Sequence, residues 1–405
     1  MDRMNLQEHV RTLAMLPETD EPVVSCYATL EDRRLREPNL VDEQIQAIRA
    51  GLTGKALQAL EEALQPVLAF LTLGLSSDAK GAAVFSRAGK EPFFLTLRFR
   101  VPLPNWIVVD TTPRIYHLVE LKDTYEQYVV MLATKGSIRI FEMNVGTATE
   151  RLSAALPELR KDSGRKHPKE RYQRQMKERE RRFIKESIQV QEQILANKKH
   201  SHLILAGHPT MTARVHAELP ASLLTSLAGV VRASDSDVVQ ATIDAFIKAE
   251  EEESQTIARK LAEQISSGDL GVGGTAACFE ALKRDQADTL VLLKAYTPGQ
   301  FRVCRACNSI APEAGRILTC PECGCEKSTY LDIKEQMVRL AEQQLCAVEV
   351  VNESEFLAQV GGVGCLLRYR LAHKSGRGRA SVSEFAGKQS ESQNGFGGSR
   401  SRTAA

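Results

Sequence analysis

The chain has 405 residues, 43% of them apolar and 26% charged, so it can bury a core and is not a wholly disordered polymer. Its 53 Lys and Arg against 51 Asp and Glu give a net charge of +2, so overall charge points to no partner and only local clustering can. No apolar run approaches the roughly 18–20 residues of a membrane span, and Met1 to Val10 has no signal-peptide core. The expectation is a cytoplasmic protein without a membrane partner.

The first unit, residues 1–121, reads as an α/β domain. Pro22 to Leu30 is a short β-type run after an acidic turn. Val41 to Leu73 carries apolar residues at helical spacing, Ile45, Ile48 and Leu52, then Leu57, Leu60, Leu64 and Leu68. Gly81 to Ser86 and Phe93 to Val101 read as strands joined by the turn residues Arg87 to Lys90, and Pro102 and Pro104 close the group.

The second unit, residues 122–232, opens on Gln127 to Ala133, a continuous apolar run typical of a buried strand. Lys135-Gly136 turns the chain into the alternating run Ser137 to Met143, a hairpin partner. A basic loop follows, then a long helix over roughly Lys169 to Asn197, then the strand His202 to Gly207.

The third unit, residues 233–372, opens on a helix over Ser236 to Ser266. Its acidic run Glu250 to Glu253 reads as a solvated face, with a docking site as the alternative. Helix Thr275 to Arg284, strand Thr289 to Leu293, helix Ile333 to Gln343 and strand Ala347 to Val351 then alternate. Gly271-Val272-Gly273-Gly274 lacks the third glycine and preceding strand of a dinucleotide loop. The last stretch, residues 373–405, has too few large apolar residues to offset its ordering entropy and is expected to be disordered.

Five of the nine cysteines lie between Cys304 and Cys325. Cys304-Arg305-Ala306-Cys307 and Cys320-Pro321-Glu322-Cys323 are two C-x2-C knuckles with 12 residues between them. Each knuckle places two thiolates on one metal, and together they make a tetrahedral four-cysteine site, the preferred arrangement of structural zinc. A redox dithiol and unrelated thiols are the alternatives, and Cys325 is a candidate to replace Cys323. Four protein ligands leave no open position, so such a zinc holds a fold and does not catalyse. Cys26, Cys278, Cys346 and Cys365 sit in apolar settings and read as core.

Arg160 to Lys185 holds 12 Lys and Arg against four Asp and Glu. The excess is densest around Gly164 and Pro168, which mark a loop leading into a helix. Cations interleaved with Tyr and His suit phosphate backbones and base stacking. The candidate RNA contacts are Arg160, Lys161, Arg165, Lys166, His167, Lys169, Arg171, Tyr172 and Arg174. For Lys177 to Lys185, where acids intervene, a solvated helix with internal ion pairs is the simpler reading. His167, His200, His202, His208 and His216 cluster in sequence but accompany no recognised hydrolase, metalloprotease or P-loop motif.

In this order of parts the chain resembles the bacterial branch of the archaeo-eukaryotic peptide-chain release factor family, whose relatives include Pelota. The resemblance spans roughly Val23 to Tyr369. It is carried by Lys80 to Ser86, by Leu203 to Gly207 after the long helix, and by a zinc ribbon in the last unit. Gly361-Gly362-Val363-Gly364-Cys365-Leu366-Leu367-Arg368-Tyr369 is similar to the family's C-terminal run, Gly-Gly-small-small-Ala-Ile-Leu-Arg-Tyr.

The resemblance implies an α/β, three-domain release-factor-like architecture with an RNase-H-like middle domain and a C-terminal α/β domain carrying the ribbon. In release factors the middle-domain loop carries Gly-Gly-Gln, which helps water attack peptidyl-tRNA. Here the loop Asp162 to Gln175 contains only Gly164, and the chain's Gly299-Gln300 lies in the last unit. No stop-codon-reading motif is seen in the first unit. The implied role is therefore occupation of the ribosomal A site without hydrolysis, in hibernation or rescue of inactive ribosomes. The implied partners are ribosomal RNA and an elongation factor Tu-type GTPase, with a monomer expected off the ribosome. The alternatives are a peptidyl-tRNA hydrolase using His167 or Gln173 to place water, and a zinc-ribbon RNA adaptor unrelated to the ribosome.

Overall fold

A computed structural model describes residues 6–125, 127–144, 147–155, 169–197 and 202–369, except 305, 308, 309, 313–318, 321 and 327. The expected disordered tail and most of the basic loop lie outside the described residues. Among the described residues no helix is long and apolar enough to cross a membrane.

The first sheet is built from β1 (Val23–Glu31), β2 (Arg34–Leu35), β3 (Gly81–Arg87), β4 (Phe93–Phe99) and β5 (Trp106–Asp110). β1 lies between β3 and β5, antiparallel to both, and β4 pairs with β3. Strand alternation divides its side chains between two cores. Val24, Cys26 and Ala28 face α2 (Pro38–Ala50) and α3 (Gly54–Leu73), whereas Tyr27, Ala83 and Phe85 face the opposite side. The helical pattern over Val41 to Leu73 is carried by two helices. Gly51 closes the first, Thr53 starts the second, and an Arg49–Glu61 ion pair at 2.6 Å ties them together.

The second sheet contains β6 (Tyr128–Ala133), β7 (Ser137–Asn144), β8 (Thr147–Ala155), β9 (His202–Gly207) and β10 (Leu227–Val231), in the order β10-β9-β6-β7-β8. β6, β9 and β10 run parallel, and β7 and β8 complete an antiparallel meander. Counted within the unit this is 5-4-1-2-3, the order of an RNase-H-like sheet. The strand–strand–loop–helix–strand reading missed β8 and β10. β8 carries one large aliphatic residue, Leu152, because it is an edge strand. One face of the sheet packs on α5 (Lys169–Asn197), α6 (Pro209–Glu218) and α7 (Ala221–Thr225). The other packs on the first half of α8 (Val238–Ser267), where Phe246 stacks on Tyr128 at 4.2 Å.

The third sheet has the order β11-β17-β12-β16, from β11 (Gly271–Gly273), β12 (Ala287–Leu293), β16 (Ala347–Val351) and β17 (Val363–Leu367). β12 and β16 are parallel, and β17 is antiparallel to β12. The second half of α8 covers one face through Ala258 and Leu261. The first two glycines of the C-terminal run have a structural reason. Gly361 and Gly362 take φ of +94° and +80°, and a Cβ on Gly362 would stand 2.8 Å from the Tyr296 ring.

The first and third sheets share one hydrophobic core. Tyr27, Phe85 and Leu97 from the first belong to the same cluster as Leu290, Val348 and Cys365 from the third. Between them lie α1 (Leu6–Met15), α4 (Tyr116–Thr124), α9 (Thr275–Lys283) and α10 (Ile333–Gln343). The polar contacts across this core centre on the start of α10. Asp332 caps α10 by accepting from the Glu335 N–H at 3.2 Å, and Asp332 also pairs with Arg114. Glu335 stands three residues after the cap, where a capping box would turn it back on its own helix. Instead its buried carboxylate accepts the N–H groups of Ile115 and Tyr116, capping α4. Lys122 pairs with Glu342, Asp123 accepts the Val350 N–H, and Arg339 and Gln343 donate to the backbone of Leu16 and Ala14 at the end of α1.

Burial pushes the Glu335 carboxyl up to about 7, against the pull of Arg114 and the two amides. Its native pKa lies above the unfolded value, so the folded state holds this proton more tightly. The resulting stability is fully present below about pH 4.5 and is lost as pH rises through about 7. Glu335→Gln keeps an oxygen for the amides and removes the titration. Relative to the wild type it should gain about 2–3 kcal/mol between about pH 5 and about pH 8. Urea unfolding followed by circular dichroism measures this, and parallel pH profiles for the two proteins would contradict it.

Candidate metal centre and nucleic-acid interface

The cysteine knuckles hang on a small separate sheet, β14-β13-β15, formed by β13 (Gln300–Cys304), β14 (Ile310–Pro312) and β15 (Ser328–Asp332). Phe301 is buried and anchors this sheet to the large core, whereas Tyr330, opposite Arg302, is exposed. The first knuckle leaves the end of β13. Cys304 is buried and Cys307 exposed, and the Ala306 N–H points at the Cys304 sulfur at 3.4 Å.

The second knuckle is closed by backbone bonds from Gly324 N–H to the Cys320 carbonyl and from Cys320 N–H to the Cys325 carbonyl, both 2.8 Å. Gly324 has φ +72°, a left-handed turn that glycine adopts without strain. The four sulfurs of Cys304, Cys307, Cys320 and Cys323 lie within 4.8 Å of one another. Cys304 is 3.5 Å from Cys323, and Cys307 is 3.5 Å from Cys320. Ligands about 2.3 Å from a tetrahedral ion stand about 3.8 Å apart, so this set can close on one metal ion. Cys325 is outside the group, so Cys323 is the fourth sulfur of the cluster. Cys26, Cys278, Cys346 and Cys365 are buried as expected, and burial pushes the Cys26 and Cys346 thiols up to about 12, so they are inert.

Of the nine candidate RNA contacts, Arg160, Lys161, Arg165, Lys166 and His167 lie outside the described residues. Lys169, Arg171 and Tyr172 belong to the first turn of α5, and Arg174 is exposed on the next. Further along, Phe183, Ile184, Ile188 and Leu195 seat α5 on the sheet, leaving Lys177, Arg179 and Arg182 exposed. The helix is not neutralised only within itself. Arg181 and Lys185 reach Glu218 of α6 at 2.7 and 3.6 Å, and Glu180 takes Arg214 at 2.5 Å. Arg174, Lys177, Arg179 and Arg182 are thus exposed cations of α5.

Of the five clustered histidines, His167 and His200 lie outside the described residues, and the other three are spread over β9 and α6 with its cap. His208 caps α6 and contacts the Thr210 hydroxyl at 2.6 Å, and His216 lies in the last turn of that helix. His202 opens β9 and contacts Glu250 and Glu253 of α8. Burial lowers the pKa of its imidazole, against the pull of Glu253. Sequence reading did not join His202 to these two acids, which are 48 and 51 residues away. The only local hint was the one-turn spacing of Glu250 and Glu253.

The sequence model of Bacterial archaeo-eukaryotic release factor family 10 matches residues 113–251, which hold the second sheet with α5, α6 and the first half of α8. No curated protein matches the chain. Among solved structures, an archaeal translation termination factor, aRF1, is 16% identical, with 90% of this chain and 97% of that one covered and a TM-score of 0.25. Archaeoglobus fulgidus Pelota is 12% identical over 92% of this chain and 95% of its own, with a TM-score of 0.35. S. cerevisiae Dom34, described as a translation termination-like factor interacting with Hbs1, is 7% identical over 92% and 94%, with a TM-score of 0.39. Over residues 113–251 the chain is similar to the bacterial branch of the archaeo-eukaryotic release factors.

Proposed function

We propose that this protein is a cytoplasmic, ribosome-binding translation factor that occupies the A site of inactive ribosomes, in hibernation or rescue, without hydrolysing peptidyl-tRNA. The observation that carries this reading is a release-factor middle unit whose loop, Asp162 to Gln175, lacks Gly-Gly-Gln. Hydrolysis needs a polar group positioned on the attacking water, and geometry comes before basicity. The loop keeps its cations and loses that group. Arg160, Lys161, Arg165, Lys166, His167, Lys169, Arg171, Tyr172 and Arg174 contact ribosomal RNA, mostly at phosphates. The C-terminal unit faces an elongation factor Tu-type GTPase. Zinc at Cys304, Cys307, Cys320 and Cys323 is structural and holds the ribbon against the core.

The protein should sediment with ribosomes, more in starved than in growing cells, and release no labelled peptide from peptidyl-tRNA on ribosomes in vitro. Robust release that His167→Ala or Gln173→Ala abolishes would establish the hydrolase instead.

Each phosphate contact releases counterions, so ribosome affinity should fall steeply with salt. Combining Arg165→Ala, Lys166→Ala and Arg171→Ala should flatten the log–log salt dependence by roughly 0.7–0.9 per lost contact. Unchanged affinity and slope in a folded triple variant would reduce the loop to a solubilising surface.

Purified protein should carry about one zinc held by four thiolates. Cys323→Ser should lose it and lower the melting temperature, whereas Cys325→Ser should keep it. Loss in Cys325→Ser alone would exchange the two roles.

A further inference from the structure

We propose that the outer edge of β4 is a dimerisation surface, on which a second copy of this chain pairs its own β4 antiparallel about Thr96. A strand at a sheet edge leaves a row of N–H and carbonyl groups that another strand can take. The two edges of the first sheet are treated differently. At β5 the Ile107 N–H donates to Oε1 of Gln44 at 2.9 Å, so a side chain of α2 serves that edge. Among the described residues β4 pairs with β3 alone, and no hydrogen bond reaches its other edge. β4 has seven residues, no proline and one charge, Arg98. It is longer and less charged than an edge that is protected against pairing.

The residues of β4 point to its own copy as the occupant. Phe93, Leu95, Leu97 and Phe99 are arranged symmetrically about Thr96. A two-fold axis through a Thr96–Thr96 pair therefore sets Phe93 opposite Phe99 of the second copy, and Leu95 opposite its Leu97. Leu97 and Phe99 are buried in the core shared by the first and third sheets, whereas Phe93 and Leu95 are only partly buried against it. Pairing brings the half-covered residues of each copy against the covered ones of the other, so the core continues across the axis.

The other side of the strand supplies complementary charge. Phe94, Thr96 and Arg98 lie on the α3 side, opposite Ser86, Val84 and Ala82 of β3. Phe94 is 49% exposed. Arg98 is held in place, donating to the Gly74 carbonyl at 2.8 and 3.0 Å and lying over the Phe70 ring at 4.8 Å. Leu73, the residue before Gly74, is 87% exposed. The antiparallel register sets Phe94 of one copy against Arg98 of the other, a cation beside a ring, with Leu73 close by. A parallel pairing in register would set Arg98 on Arg98 instead, and like charges directly opposite each other destabilise a strand pair. Pairing through seven-residue strands buries an area at the low end of specific interfaces, so the dimer forms and dissociates with concentration. It stands in place of the monomer expected off the ribosome.

The test is sedimentation equilibrium of the full-length, RNA-free protein at concentrations on the order of 1–100 μM. The mass of the wild type should rise with concentration toward twice that of the chain. Phe94→Lys sets a second cation against Arg98 across the axis and should weaken association about tenfold or more. Phe94→Glu sets an anion there, with Arg98 left as it is, and should associate at least about tenfold more tightly than Phe94→Lys. Phe94 is half exposed, so both variants should remain folded by circular dichroism. A wild type that stays monomeric throughout overturns the proposal. A dimer that Phe94→Lys leaves intact has its interface elsewhere and overturns it too. Equal weakening by lysine and glutamate would contradict the antiparallel register about Thr96 and overturn it equally.

Discussion

The buried carboxylate of Glu335 is the contact on which the arrangement of the first and third sheets depends. A helix N-terminus leaves backbone N–H groups without intrahelical acceptors, and burying them unpaired costs roughly 1–3 kcal/mol each. α4 begins inside the shared core, where water cannot serve, and its first amides are taken by a side chain from α10. That single choice fixes α4 against α10. It also brings Arg114 beside Asp332 and sets the register in which Lys122, Asp123, Arg339 and Gln343 find their partners. The cost of burying a carboxylate is visible in its raised pKa.

This contact is also joined to the proposed zinc site by the chain itself. β15 leaves the ribbon and ends at Asp332, the residue that caps α10 and pairs with Arg114. A metal that orders the ribbon therefore orders the strand delivering Asp332 and Glu335 to the core. Metal binding and folding are commonly linked in this way, because a site of four cysteines rarely exists before the chain around it is folded. On this reading the zinc serves the core as much as the surface.

α8 performs the complementary task for the middle unit. Its 30 residues are long enough to pack Phe246 on the second sheet and Leu261 on the third. The acidic run at its centre is where the two packing regions meet. Glu250 and Glu253 there turn to His202, and Ser254 bonds Glu349 of the third sheet. A stretch that reads as a solvated face is thus partly a polar seam between sheets. α5 lies on the opposite face of the second sheet, seated there through Ile184 and Ile188.

Local chemistry made many elements legible from the residues alone. β6 and β9 are continuous apolar runs, α10 has a strong helical period, and the knuckle spacing points to Cys304, Cys307 and Cys320 with either Cys323 or Cys325. These signals are written into neighbouring residues, because strand and helix periods and metal-ligand turns are short-range. Elements that draw their stability from distant partners were not legible. β8 is a weakly apolar edge strand, α4 is capped by a residue 220 positions away, and His202 meets acids about 50 positions on. The shared core of the first and third sheets is likewise a product of tertiary packing. Burial, cross-chain capping and charge pairing depend on which distant segments become neighbours, and only the folded chain decides that.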